Sequence, residues 1–385
     1  MCFLVAIGVW FAMRSAPKSR IPNKHGVSSC IFQLLPGSSD VPVQNYPTMP
    51  PQFMNTYSYP PEFIGCDSSE GIYNGSRILV SVPHGKNGGH SVSITGVGTG
   101  ILTLTSSPDP NAQEVVYDML VKGDNDSLDD ISFDYPPSGS APDASTKFTM
   151  CTPSRLAPPT PTDADSCLYY EITMYIPRGV KSLSIVIDTP IQVRFSPQGH
   201  IQLDELYLSL THRGDVVKVD AHESIRASNM TIETQNGFVN GAISVDNAAQ
   251  VINLSGFTRL NVIPNASPNL ANPTPAIFST HTNTGKVSIS YLWNAAYRKR
   301  RIDSYHMTAS PSSFGDFDYS ASGFDGLVLT DSAGYNLTDA RTQKPKFYEV
   351  SSAEAEGIIW TRSAGNKKGL DRVYIQSGTG KVCIP

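Results

Sequence analysis

The stretch MTIETQNGFVNGAISVD, residues 230–246, decides the fold. Apolar Met230 and Ile232 alternate with Thr231 and Glu233 before Gly237, and Ile243 and Val245 alternate with polar partners after it. A period of two gives a strand one buried face and one wet face. A glycine between two such runs supplies a corner, because it reaches positive φ without a Cβ clash.

The same form recurs through the second half. ELYLSLTHRGDVVKVD (205–220) turns at Gly214 and VINLSGFTRLNVI (251–263) at Gly256. AIFSTHTNTGKVSISY (276–291) turns at Gly285 and MTASPSSFGDFDYS (307–320) at Gly315. GLVLTDSAGYNLTD (326–339) turns at Gly334, FYEVSSAEAEGIIW (347–360) at Gly357 and RVYIQSGTGKVCIP (372–385) at Gly380. Repeats roughly 20 to 30 residues apart describe stacked rungs, each too small to bury its own apolar face. Val217, Val219, Ile243, Ile289, Val373 and Ile375 are the expected inward residues. Residues 267–275 and 293–304 read as insertions, and 372–385 as a cap on the stack. Before these rungs, SRILVSVP, HSVSITGVGTGILTLTSS, EVVYDMLV and KFTMC alternate in the same way.

The expected fold is all-β: an irregular β-solenoid, a β-helix-like stack of Gly-cornered rungs over residues 166–385. A β-rich N-terminal portion over 66–165 adjoins it. A β-sandwich built from hairpins is the competing fold, since alternation alone does not separate the two.

Outward from the repeats the composition changes. Residues 1–13, MCFLVAIGVWFAM, are wholly apolar but about 20 Å long as a helix, short of a bilayer core of roughly 30 Å. They read as a truncated membrane anchor, an atypical signal segment or an apolar tail. Residues 14–65 carry closely spaced prolines, which exclude a helix or an inner strand and leave a linker.

Six sequons, at Asn74, Asn125, Asn229, Asn253, Asn265 and Asn336, together favour an exported or cell-surface glycoprotein, possible membrane attachment being through the N-terminal segment. Cys151 and Cys167 flank a proline-rich excursion that a disulfide would staple. Only 16% of the 385 residues are charged and the net charge is −5, which excludes a general nucleic-acid binder.

No catalytic constellation emerges. His84 and His90 flank GKNGG, which lacks the order of a phosphate loop. DNDSLDD, from Asp124, lacks the glycine and terminal glutamate of a calcium loop. Asp204, Glu205, Asp215 and Asp220 are near in sequence, but glycosidase chemistry needs two opposed carboxyl groups. No metal or cofactor site is expected. The one sharp basic cluster is Arg298–Arg301, and with Tyr291, Trp293 and Tyr297 it forms a candidate ligand patch, centred on Arg298 and Arg300. A solvated loop or a processing site accounts for it equally well.

The rungs MTIETQNGFVNGAISVD, HTNTGKVSISY and RVYIQSGTGKVCI resemble the adhesin-like β-solenoid proteins of fungi, over about residues 165–385. The resemblance implies a noncatalytic cell-surface protein, adhesive or structural, with cell-wall glycans or other surface proteins as partners. It carries no catalytic residues across. The alternative is a polysaccharide-active enzyme or a glycan-binding module on a β-helix.

Overall fold

The computed structural model describes residues 71–123, 128–137, 139, 146–153, 168–212, 217–266, 274–292, 300–308, 310, 313–332, 334–339, 348–355, 358–376 and 378–384. The larger compact unit comprises residues 58–353 and 360–385. A second unit groups 1–57 with 354–359, and only 354, 355, 358 and 359 of it fall among the described residues.

Two parallel ladders face each other across one hydrophobic core. Ladder A contains β3 (Gly89–Thr95), β7 (Lys147–Cys151), β9 (Ser182–Asp188), β11 (Ile201–Leu210), β14 (Ala276–Thr282), β16 (Ile302–Thr308), β18 (Gly326–Thr330) and β22 (Asp371–Gln376). Ladder B contains β4 (Thr99–Ser106), β8 (Leu168–Ile176), β10 (Ile191–Phe195), β12 (Val217–Ala221), β15 (Lys286–Tyr291), β17 (Phe314–Asp318), β19 (Gly334–Asp339) and β23 (Thr379–Ile384). The long β13 (Ile225–Pro264) passes through both ladders twice. Its residues 225–234 pair with β11, 238–241 with β12, 248–252 with β14 and 257–262 with β15. One rung is therefore a ladder A strand, a corner and a ladder B strand, which is the solenoid expected from the repeats.

The inward columns follow from alternation. In ladder A, Val92, Ile185, Leu208 and Ile232 are in register; in ladder B, Ile172, Leu102, Val193, Val219 and Val239 are. All are at most 2% exposed. Each such side chain contributes roughly 1.5–3 kcal/mol by leaving water. The six residues expected to point inward are all buried.

Corner glycines stack as well. Gly256 has φ +124°, and a Cβ there would lie 2.1 Å from the Gly237 carbonyl oxygen. Neighbouring corners thus come into backbone contact, which no side chain at this position permits.

Stack order departs from chain order at both ends. At one end β3–β4 lies between β7–β8 and β9–β10. At the other, β22–β23 lies between β16–β17 and β18–β19. Residues 372–385 are therefore not the cap expected from the sequence. Their described strands, β22 and β23, form an interior rung, paired on both sides. The linker into β22 crosses the start of β18 at close quarters: a Cβ on Gly369 would lie 2.1 Å from the Asp325 carbonyl oxygen. The boundary read at residue 165 separates no folded units either, because β3 and β9, from either side of it, share one ladder.

Antiparallel strands close most of the ends. β5 (Glu114–Gly123) pairs with β8, and β1 (Gly71–Ile72) and β2 (Ile78–Pro83) pair in turn with β5. β6 (Ser132–Asp134) pairs with β7, and β21 (Ile358–Gly365) with β18. The remaining strand is β20 (Tyr348–Ala355).

Candidate functional surface

β16 is built against its own hydrophobic pattern. Its sequence, IDSYHMT, points Ser304, His306 and Thr308 into the core and leaves Tyr305 half-exposed and Met307 43% exposed. The polar residues are tolerated because the core receives them. His306 Nδ1 lies 2.9 Å from Thr280 Oγ1, and its Nε2 lies 3.1 Å from the Tyr319 hydroxyl and 3.3 Å from that of Tyr291. The Tyr291 hydroxyl is 2.7 Å from Ser304 Oγ. The imidazole stacks on Phe317 with centroids 4.0 Å apart. Burial pulls the His306 pKa down to about 3, so the ring is neutral at physiological pH.

The consequence lies on the outer face of ladder A. Register places Ile277 beside Asp303 and Arg372, Ser279 beside Tyr305 and Tyr374, and His281 beside Met307 and Gln376. Ile277 is 37% exposed. The Tyr305 and Tyr374 rings stack with centroids 5.0 Å apart and planes 5° apart. One face of each ring is occupied by the other. Arg301 Nε donates to Asp303 at 3.0 Å beside this patch; desolvation raises the Asp303 pKa and the arginine opposes it. Further along the same face the outward residues are mostly polar: Ser182, Glu205 and Asn229 in one row, Val186, Ser209 and Glu233 in another. The Tyr207 hydroxyl donates to Glu233 at 2.8 Å.

The ligand patch drawn from the sequence does not form at its two described members. Tyr291 is 0% exposed and stacks on Tyr319 at 4.3 Å, because it occupies an inward position of β15. Arg300 is buried too, and its guanidinium donates to the carbonyls of Thr274, Pro275, Asp246 and Asn265. It ties chain segments together and presents no charge to a ligand. Trp293, Tyr297 and Arg298 lie outside the described residues.

The acidic residues are equally dispersed. Glu205 points outward from ladder A and Asp220 outward from ladder B, where Lys218 pairs with it at 2.9 Å. Carboxylates facing away from each other cannot flank a glycosidic bond. Asp215 lies outside the described residues. Among the described residues no three His, Cys, Asp or Glu side chains are grouped to hold a metal ion, and no helix is long and apolar enough to cross a membrane.

The sequons divide by burial. Asn253 is 2% exposed, and its amide donates to the Gly237 carbonyl and to Thr258, each at 3.2 Å. Asn265 is 5% exposed and donates to Asp246. Neither can carry a sugar in the folded chain, which corrects the expectation for these two. Asn74, Asn229 and Asn336 are exposed, and Asn125 lies outside the described residues. Cys151 is disulfide-bonded, while Cys167, its expected partner, lies outside the described residues.

Sequence reading missed Tyr305, Met307, Ile277 and Tyr374 as surface residues. For Tyr305 and Met307 the signal is inverted, since alternation assigns them to the core, whereas Tyr374 is placed outward by alternation with Val373 and Ile375.

No family model and no curated protein matches the chain. Among solved structures it is similar to a "putative adhesin" of Bacteroides fragilis, at 9% identity and a TM-score of 0.33, over 80% of this chain and 97% of that one. It is similar also to a "putative cell adhesion protein" of Clostridium sporogenes, at 8% identity and 0.24, over 80% and 98%. A "putative adhesin" of Parabacteroides merdae matches at 9% identity and 0.23, over 64% and 95%. All three are bacterial, so the fungal affiliation implied by the repeats has no counterpart among them.

Proposed function

We propose that the protein is a noncatalytic scaffold of the cell surface that adheres through the outer face of ladder A around β16. The inverted strand carries this reading. Polar residues are buried at the cost of a dedicated hydrogen-bond network, while Ile277, Tyr305 and Met307 stay in solvent. A departure from local pattern of this kind is expected where a surface has a task beyond folding. The exposed Ile277 and Met307 beside the tyrosine pair favour an apolar contact with a surface protein over stacking against a sugar ring. Glu205 and Asp220, the described carboxylates compared for the enzymatic alternative, face outward from different ladders.

The test is adhesion of beads coated with the purified chain to intact cells and to a polysaccharide panel. An Ile277→Ser, Tyr305→Ser, Met307→Ser variant should adhere to cells at least about tenfold more weakly, with unchanged thermal stability. Undiminished adhesion of that variant, or hydrolysis of any polysaccharide by the wild type, contradicts the reading.

A further inference from the structure

Ladder B ends in two strands whose outer edges have no pairing partner among the described residues. At one end β2 pairs only with β5, and at the other β19 pairs only with β23. An open edge of this length is a template for a strand from another chain. β2 makes the hazard greater, because Leu79 on it is 73% exposed. Ladder A also ends on strands paired on one side among the described residues, β6 and β21, but β6 is only three residues long and offers little edge.

Each open edge carries an exposed sequon. β1 and β2 both lie along β5, and between them the chain bulges out through a single turn at Tyr73–Gly75. Asn74 sits on this bulge with φ +53°, followed by Gly75 and Ser76, all exposed. On β19, Tyr335 points into the core and Asn336 points out, with Thr338 completing its sequon. The third exposed acceptor, Asn229, lies within ladder A beside Glu205 and away from any open edge.

We infer that Asn74 and Asn336 carry N-linked oligosaccharides, and that these two glycans shield the open edges of ladder B at opposite ends of the stack. Neighbouring strands must approach to about 4.8 Å to pair. A hydrated oligosaccharide rooted on the edge strand, as at Asn336, or on the turn leading into it, as at Asn74, holds a second chain beyond that distance. The inference rests on the exported reading above. A glycan on Asn253 or Asn265 would have to enter the core, so folded chains carry none there.

The experiment is secretion of the full chain, with an appended signal peptide, from cells that perform N-glycosylation. Occupancy is read at each sequon by mass spectrometry, and self-association by light scattering. A chain retained in the cell is read the same way from the microsomal lumen. Asn74 and Asn336 should be occupied and Asn253 and Asn265 empty. The Asn74→Gln, Asn336→Gln double variant should self-associate at concentrations about tenfold lower than the glycosylated chain. An empty Asn74 or Asn336, a sugar on Asn253, or a double variant as monomeric as the wild type overturns the inference. Because export is imposed, a native protein found in the cytosol would defeat the surface reading without touching this result.

Discussion

From β9 to the first half of β13 the central inward columns are aliphatic, Ile185, Leu208 and Ile232 on one side and Val193, Val219 and Val239 on the other, with Phe195 of β10 the one buried aromatic among the described residues there. The outer rungs are filled with aromatic rings around a buried histidine. At one end His90 Nε2 lies 2.6 Å from the Tyr117 hydroxyl, and Tyr117 stacks on Phe148 at 4.2 Å. At the other, His306 joins Thr280, Tyr291 and Tyr319 and stacks on Phe317. Aliphatic rungs are interchangeable, since any Val or Ile column propagates the stack. The outer rungs must accept strands out of chain order, and a hydrogen-bonded network selects one register where apolar packing alone tolerates several.

Four changes would break or sharpen this contrast. Gly256→Val, in the middle, should have the largest effect. It places a side chain into the Gly237 carbonyl at a φ that valine avoids, and should cost more than about 4 kcal/mol or prevent folding altogether. Denaturant unfolding or the absence of soluble chain would show it.

Acid should act on the ends. Burial holds the His90 pKa down to about 4 and that of His306 to about 3, against 6.5 when unfolded. The unfolded chain therefore binds more protons below pH 6.5. The stability these neutral rings permit is intact above that value and is lost as pH falls through it towards 4 and 3. For His90 the loss approaches roughly 3 kcal/mol, readable as a pH-dependent shift of the urea midpoint.

His306→Phe should cost about 1–3 kcal/mol at pH 7, because the Thr280, Tyr291 and Tyr319 hydroxyls lose a partner. It should also flatten the acid response of its own end while leaving that of the His90 end unchanged. The smallest effect is expected at Ser244→Ala in the middle. Ser244 Oγ is buried without a hydrogen-bond partner among the described residues, so its removal should change stability by less than about 1 kcal/mol, in the stabilising direction.

The middle rungs were legible in the sequence because alternation and Gly corners act locally: Val217, Val219 and Ile243 follow from period two alone. β16 was not, since a strand whose polar residues face inward reads as its own one-residue slip. Its orientation depends on Thr280, Tyr291 and Tyr319, which arrive from other rungs. Stack order was hidden for a related reason. Residues 372–385 have the same pattern as every other rung, so nothing local distinguishes an interior rung from a cap. Tyr291 and Arg300 looked like surface residues because a basic, aromatic run resembles a binding patch. Their burial follows from where β15 and the carbonyls of Thr274, Asp246 and Asn265 fall in space.

Hydrogen exchange along the full chain at pH 7 and at pH 4.5, corrected for intrinsic rates, tests the contrast most directly. Stacked rungs open in contiguous segments rather than all at once. Protection free energy should fall at pH 4.5 in β3, β5 and β7 and in β16, β17, β22 and β23, while β9 to β12 keep theirs. An equal loss across all of these strands would contradict the account.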